Sequence, residues 1–323
     1  MKRSETHTNF DSGLNLSDCT ICPRNCRANR FSDVKGYCQA GTGFEISSIC
    51  RHQGEEPVLS GEYGVCNVFF SRCNLQCVYC QNCQISTNDP AVKMPVLSLQ
   101  ETLDRICNLL DNGCRAVGFV SPSHMVPQVI EIINALKEMG RHPVFIYNTN
   151  AYDKVEVLQL LEGMIDVYLP DFKYSDETLA IKWSDAKNYV KVASAALKEM
   201  FRQKGTSLVT DENDLAISGI IIRHMVIPGH VENSLGVLRF IAGELSPRTH
   251  ISLMSQYHPM PGVSNDPDLG RAVWESEYLQ VKDEMLQLGL NRGWVQDFCS
   301  SSFYLPDFDN EHPFEIGLNN LTN

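Results

Sequence analysis

Six short apolar runs of strand character recur down the chain, and an amphipathic helical pattern follows each in turn. The runs are VCNVFFS (65–71), CRAVGFVS (114–121), PVFIYNT (143–149), IDVYLPDF (165–172), GIIIRHMVI (219–227) and HISLMSQY (250–257). The helical segments include LSLQETLDRICNLLDNG, VPQVIEIINALKEMG, VKVASAALKEMFRQKG and VWESEYLQVKDEMLQLG, and several close on Gly, as helix C-termini commonly do. Strands that alternate with helices predict an α/β chain with a parallel sheet, because a parallel pair needs a crossover and the crossover is usually a helix. Six units fit a partial (β/α)6 TIM-like barrel, and an open doubly wound sheet is the rival arrangement. WVQDFC (294–299) would add one further strand. In a parallel barrel the chemistry belongs at the C-terminal strand ends.

The cysteines are distributed unevenly. Of thirteen, ten fall between Cys19 and Cys83. Cys107, Cys114 and Cys299 sit among Ile, Leu, Val and Phe and read as small buried hydrophobes, while Cys50 and Cys66 stay unassigned. The texture divides the chain into a polar tail (1–18), a cysteine-rich irregular N-terminal module (19–63), the barrel (64–300) and a C-terminal tail (301–323). With 27 basic against 39 acidic residues, the formal charge of −12 gives no global attraction for nucleic acid or anionic lipid. MKRSETHTNF has no apolar run after its charged start, and no stretch approaches the roughly 18 apolar residues of a membrane helix. The expectation is a cytoplasmic protein with no membrane association. A reducing compartment turns so many cysteines toward metal binding rather than disulfides.

SRCNLQCVYCQNCQIS (71–86) follows directly on the first barrel strand. Cys73-x3-Cys77-x2-Cys80 is a short loop in which three thiolates can converge, and soft thiolates select zinc or iron–sulfur clusters. Structural zinc sites usually come as two separated cysteine pairs, which is not the spacing here. A [4Fe–4S] cubane held by three cysteines leaves one iron open to a cofactor or substrate. Zinc, or a closed cluster that also uses Cys83, is the alternative on the loop alone.

With Tyr79 placed just before the last cysteine, the CxxxCxxC loop resembles that of the radical S-adenosylmethionine (SAM) enzymes. CTICPRNC (19–26), HQGEEP (52–57), CNLQCVYCQN (73–82) and YLPDFKY (168–174) together resemble a subgroup of the proteins like pyruvate formate-lyase activating enzyme. The resemblance implies a radical-SAM-type partial barrel, with Cys73, Cys77 and Cys80 on a [4Fe–4S] cluster and Cys83 left outside it. It implies reductive cleavage of SAM to a 5′-deoxyadenosyl radical, which then abstracts hydrogen from a substrate. Activation of a glycyl-radical-type protein is one outcome, and direct modification of a peptide or small metabolite is the other. A non-catalytic iron–sulfur electron carrier is the rival from another class. An electron donor such as flavodoxin or ferredoxin and a protein substrate are the implied partners.

The same resemblance assigns Tyr79, Asn82, Asn148, Asp171, Lys173, Arg223 and His258 to the cofactor. Asp171 and Lys173 match an Asp-x-Lys that lies against SAM, with a surface ion pair as the plain alternative. Arg223, inside an apolar strand, needs a carboxylate, either that of SAM or an internal one. Asn148 stands where the family often has Asp, and Arg72 where related proteins often have Gly. SPSH (121–124) replaces the family's Gly-Gly-Glu, which leaves Ser121, Ser123 or backbone carbonyls to substitute and lets His124 face a substrate. Cys19, Cys22, Cys26 and Cys38 form a second ligand set, open between a second [4Fe–4S] cluster, zinc and no metal.

Overall fold

The computed structural model describes residues 13–298, 305–310 and 312–314. In chain order the strands are β1 (Phe44–His52), β2 (Val65–Phe70), β3 (Val96–Leu97), β4 (Ala116–Val120), β5 (Val144–Thr149), β6 (Val167–Pro170), β7 (Val209–Thr210), β8 (Ala216–Met225), β9 (His250–Met254) and β10 (Gly293–Val295). The helices are α1 (Pro57–Ser60), α2 (Cys83–Ser86), α3 (Leu99–Asp111), α4 (Val126–Glu138), α5 (Val155–Leu160), α6 (Glu177–Ser184), α7 (Tyr189–Lys204), α8 (Val231–Phe240) and α9 (Glu275–Gln287). Their order in the sheet is β10-β9-β8-β6-β5-β4-β2-β1-β3, with β7 paired to β8.

From β2 to β10 each new parallel strand is added beside the one before it. A doubly wound sheet would reverse direction at a switch point. This sheet does not, so the partial barrel is the architecture and the doubly wound alternative falls. Closure is blocked on one side because β1 pairs antiparallel with β2, taking the edge that a closing strand would need. WVQDFC contributes β10, which pairs parallel to β9 through Trp294 and Val295.

The strands form where the apolar runs lie. β2 and β4 are buried at every position, as expected of parallel strands covered on both faces. α3 begins with a capping box: Glu101 N–H donates to Ser98 Oγ at 3.1 Å, and Ser98 N–H donates to the Glu101 carboxylate at 2.8 Å. α4, α7 and α9 run out at Gly140, Gly205 and Gly289, each in the left-handed region.

Residues 19–63 differ from the irregular, coreless module that their composition suggests. Ile21 and Ala40 are 1% exposed and belong to the barrel's main core, and residues 44–52 form β1. β1 escapes a periodicity reading because its burial runs in blocks rather than alternating, with a register shift between Ile46 and Ser48. Cys50, Cys66 and Cys114 are buried in apolar clusters, and Cys107 packs against the main core. The reading of Cys299, and of the tail up to residue 12, lies outside the described residues. Among the described residues no helix is long and apolar enough to cross a membrane.

Candidate functional site

The C-terminal strand ends open into one cavity of about 200 Å3. Cys73 reaches it from the loop after β2, Ser121 after β4, Thr149 and Asn150 at and after the end of β5, Asp171 and Lys173 after β6, Gln256 after β9 and Gln296 after β10. Cys77, Tyr79, Cys80 and Asn82 complete the loop's contribution, and Asn148 and Arg223 enter from within β5 and β8. Cys83 is exposed at the start of α2 and does not line the cavity.

Each of the three lining thiols is met by a hydrogen-bond donor. Leu75 N–H points at Cys73 Sγ from 3.4 Å, and Asn150 Nδ2 at the same sulfur from 3.5 Å. Ser184 Oγ donates to Cys77 Sγ at 2.9 Å, and Ser86 Oγ lies 3.3 Å from Cys80 Sγ. Tyr79, Tyr174 and Ser184 form a buried hydroxyl chain that ends on the Cys77 sulfur. Burial pushes the thiols up, Cys73 to about 12 and Cys80 to about 11, so a metal must displace their protons on binding.

A network of charges lies beside the thiols. Arg223 donates from Nε to Asp171 at 2.8 Å, and through its two terminal nitrogens to Glu55 and Asn148, each at 3.0 Å. Lys173 Nζ donates to the other Asp171 oxygen at 2.9 Å. Burial alone would push both carboxyls up. For Asp171, Arg223 and Lys173 outweigh it; for Glu55, the bond from His52 and the Arg223 charge do. Both carboxyls are held at about 2. Glu56 carries no such pair, and burial pushes it up instead. The Lys173 ammonium, disfavoured by burial, is kept charged by Asp171.

The cavity therefore gathers Cys73, Cys77, Cys80, Tyr79, Asn82, Asn148, Asp171, Lys173 and Arg223. His258 is not among its lining residues; Gln256, two positions earlier, is. Ser121 lines it with φ of 52°, whereas Ser123 turns away to bond Thr149 and His124 is fully buried against the Ser71 carbonyl. Asp171 and Lys173 form a pair inside the cavity, not a surface one. Arg223 takes internal carboxylates here, the second of its two expected partners.

Glu55, Glu56 and Asn150 are cavity residues that motif reading did not single out. The Glu-Glu of HQGEEP was the available signal. Its carboxylates enter from the opposite end of the barrel, because β1 runs antiparallel and ends beside Val65, the first residue of β2. Arg72 has φ of 68°, the region where glycine is at ease. Its guanidinium is held by Glu45 at 3.1 Å, which accounts for a large side chain at this position.

Residues 59–190 match the 4Fe-4S single cluster domain. An uncharacterised protein of Methanocaldococcus jannaschii is 27% identical over 81% of this chain and 72% of its own. Among solved structures, methylornithine synthase is similar at a TM-score of 0.50 and 14% identity, over 79% of this chain and 76% of that one. A domain of a pyruvate-formate lyase-activating enzyme from Bacteroides vulgatus is similar at a TM-score of 0.37 and 17% identity, over 53% of this chain and 93% of that one. A 4Fe-4S domain therefore spans the cysteine loop, and a partial barrel of the kind seen in methylornithine synthase places that loop at its mouth.

Proposed function

We propose that the protein cleaves SAM reductively and directs hydrogen abstraction at a protein or peptide segment brought to the barrel mouth. The observation that carries this reading is the shared cavity. Three thiols and a set of charged and amide strand-end groups face one space, and the fourth cysteine of the loop stays outside it. An electron carrier needs no such ligand-sized space beside its cluster. Cys73, Cys77 and Cys80 would hold the cluster, and the surrounding N–H and O–H donors suit thiolate sulfur. Bound there with SAM, the cluster supplies reductive cleavage of the sulfonium and hydrogen-atom abstraction.

The chain's own side chains bind and orient. Asp171 accepts from amino or hydroxyl groups, Lys173 and Arg223 face a carboxylate, and Asn82 and Asn148 offer amides. Tyr79 and its partners Tyr174 and Ser184 fix the loop. The largely apolar strands beneath keep water out.

The cavity lies at the C-terminal strand ends, the face a protruding segment of a protein or peptide can approach. The test is anaerobic 5′-deoxyadenosine formation in the presence of size-fractionated cell extract. Acceleration by the macromolecular fraction is expected. Acceleration by the small-molecule filtrate alone would turn the reading to metabolite modification, and no nucleoside under any condition would contradict it.

A further inference from the structure

Four thiols lie outside the barrel cavity and share a smaller one. Cys19, Cys22, Cys26 and Cys38 line it together with Arg24, Arg30 and Gly36. The backbone is tied to hold them: Cys19 N–H donates to Ala28 O at 2.9 Å, and Arg27 N–H returns to Cys19 O at 2.8 Å. Gly36 is required at its position, since a Cβ there would stand 2.9 Å from Cys26 Cβ and 3.1 Å from its sulfur.

Arg30 is the independent sign that something charged belongs there. It is 2% exposed, and its Nε donates to Cys19 Sγ at 3.2 Å. Its two terminal nitrogens have no hydrogen-bond partner among the described residues. A guanidinium buried with unused donors is costly unless negative charge faces it. Neutral thiols do not supply that charge, whereas metal-bound thiolates do.

Zinc and an iron–sulfur cluster both take four thiolates. The position of the set, tied to the barrel's cysteine loop through Arg24 and Asn74, favours the redox-active group.

We propose that Cys19, Cys22, Cys26 and Cys38 ligate a second iron–sulfur cluster, saturated with cysteine. A saturated cluster has no open iron for SAM, so its chemistry is one-electron transfer. One electron enters from a low-potential one-electron donor protein, and the same electron leaves toward the loop cluster. The connection is short: Arg24, two residues after Cys22, donates from Nε to the carbonyl of Asn74, the residue next to Cys73, at 2.8 Å. This relay role rests on the barrel reading above, but the site itself does not.

The test uses the full chain with Cys73→Ala, Cys77→Ala and Cys80→Ala combined, reconstituted anaerobically with iron and sulfide. Iron and acid-labile sulfide should then remain in equal amounts, about two to four of each per chain. Dithionite should produce a paramagnetic signal that SAM leaves unchanged. The reciprocal Cys19→Ser/Cys22→Ser variant should lose that signal and keep one that SAM shifts. One zinc per chain without sulfide in the triple variant overturns the proposal. So does a triple variant that folds as wild type by circular dichroism and binds no iron. The barrel reading fails separately, if the reciprocal variant folds and holds no iron.

Discussion

Arg223 neutralises two buried carboxylates at once, and its removal should be felt first in stability. Arg223→Met leaves Asp171 with Lys173 alone and Glu55 with no full counter-charge. A buried charge left unpaired costs about 3–5 kcal/mol, so the urea midpoint at pH 7 should fall accordingly. The loss should shrink as the pH drops and the freed carboxyls take up protons. Ser184→Ala makes a different prediction. Its hydroxyl withdraws electron density from the Cys77 sulfur through a 2.9 Å bond, so the variant's cluster should titrate at a more negative potential. An unchanged potential would separate Ser184 from the cluster. At this scale the sequence was most legible where charge interrupts an apolar strand or its end, as at Arg223 and the Asp171–Lys173 pair. Glu55 was hidden because its role depends on which way β1 runs. His258 follows the right strand, but side-chain direction in a loop is not fixed by position.

At the scale of elements, the six apolar runs announced themselves because strands buried on both faces have no polar interruptions. β1 did not, because it serves as an edge cover with one partly exposed stretch. α6 is also short and supplies Ser184 at its last turn, a contact no local pattern reveals. The β1 cover depends on Asn67 of β2, which donates to Glu55 at 2.8 Å. Gly118 on β4 leaves the room for it: a Cβ there would fall 2.1 Å from Asn67 Oδ1. Gly118→Ala should therefore cost about 1–3 kcal/mol through displacement of Asn67 and Glu55. Gly243→Ala, where nothing lies within 4 Å of the added carbon, should show no such steric penalty. Thermal denaturation of the two variants side by side checks the contrast.

For the molecule as a whole, two buried histidines set an acid limit. His124 donates to the Ser71 carbonyl, and His224 donates to Phe172 O while accepting from Ser234. Burial, acting against the charged ring, lowers both to about 4. Folded values below the unfolded one mean that the unfolded chain binds these protons first. Their stabilisation is full above about pH 6.5 and is lost as the pH falls toward 4. By pH 5 each should have cost about 2 kcal/mol, and His124→Gln should flatten the slope between pH 7 and 5 in urea titrations. The partial barrel was readable from the six strand–helix units, but the β1 cover on its open edge and the entry of Glu55 from the far end were not. Both follow from long-range pairing of β1. The central claim concerns three cysteines and an open iron, and dithionite-dependent 5′-deoxyadenosine formation tests it most directly. Reconstituted wild type and Cys83→Ser should both form the nucleoside, and Cys77→Ala should not. Loss of activity and cluster in a folded Cys83→Ser, or activity kept in Cys77→Ala, would contradict the account.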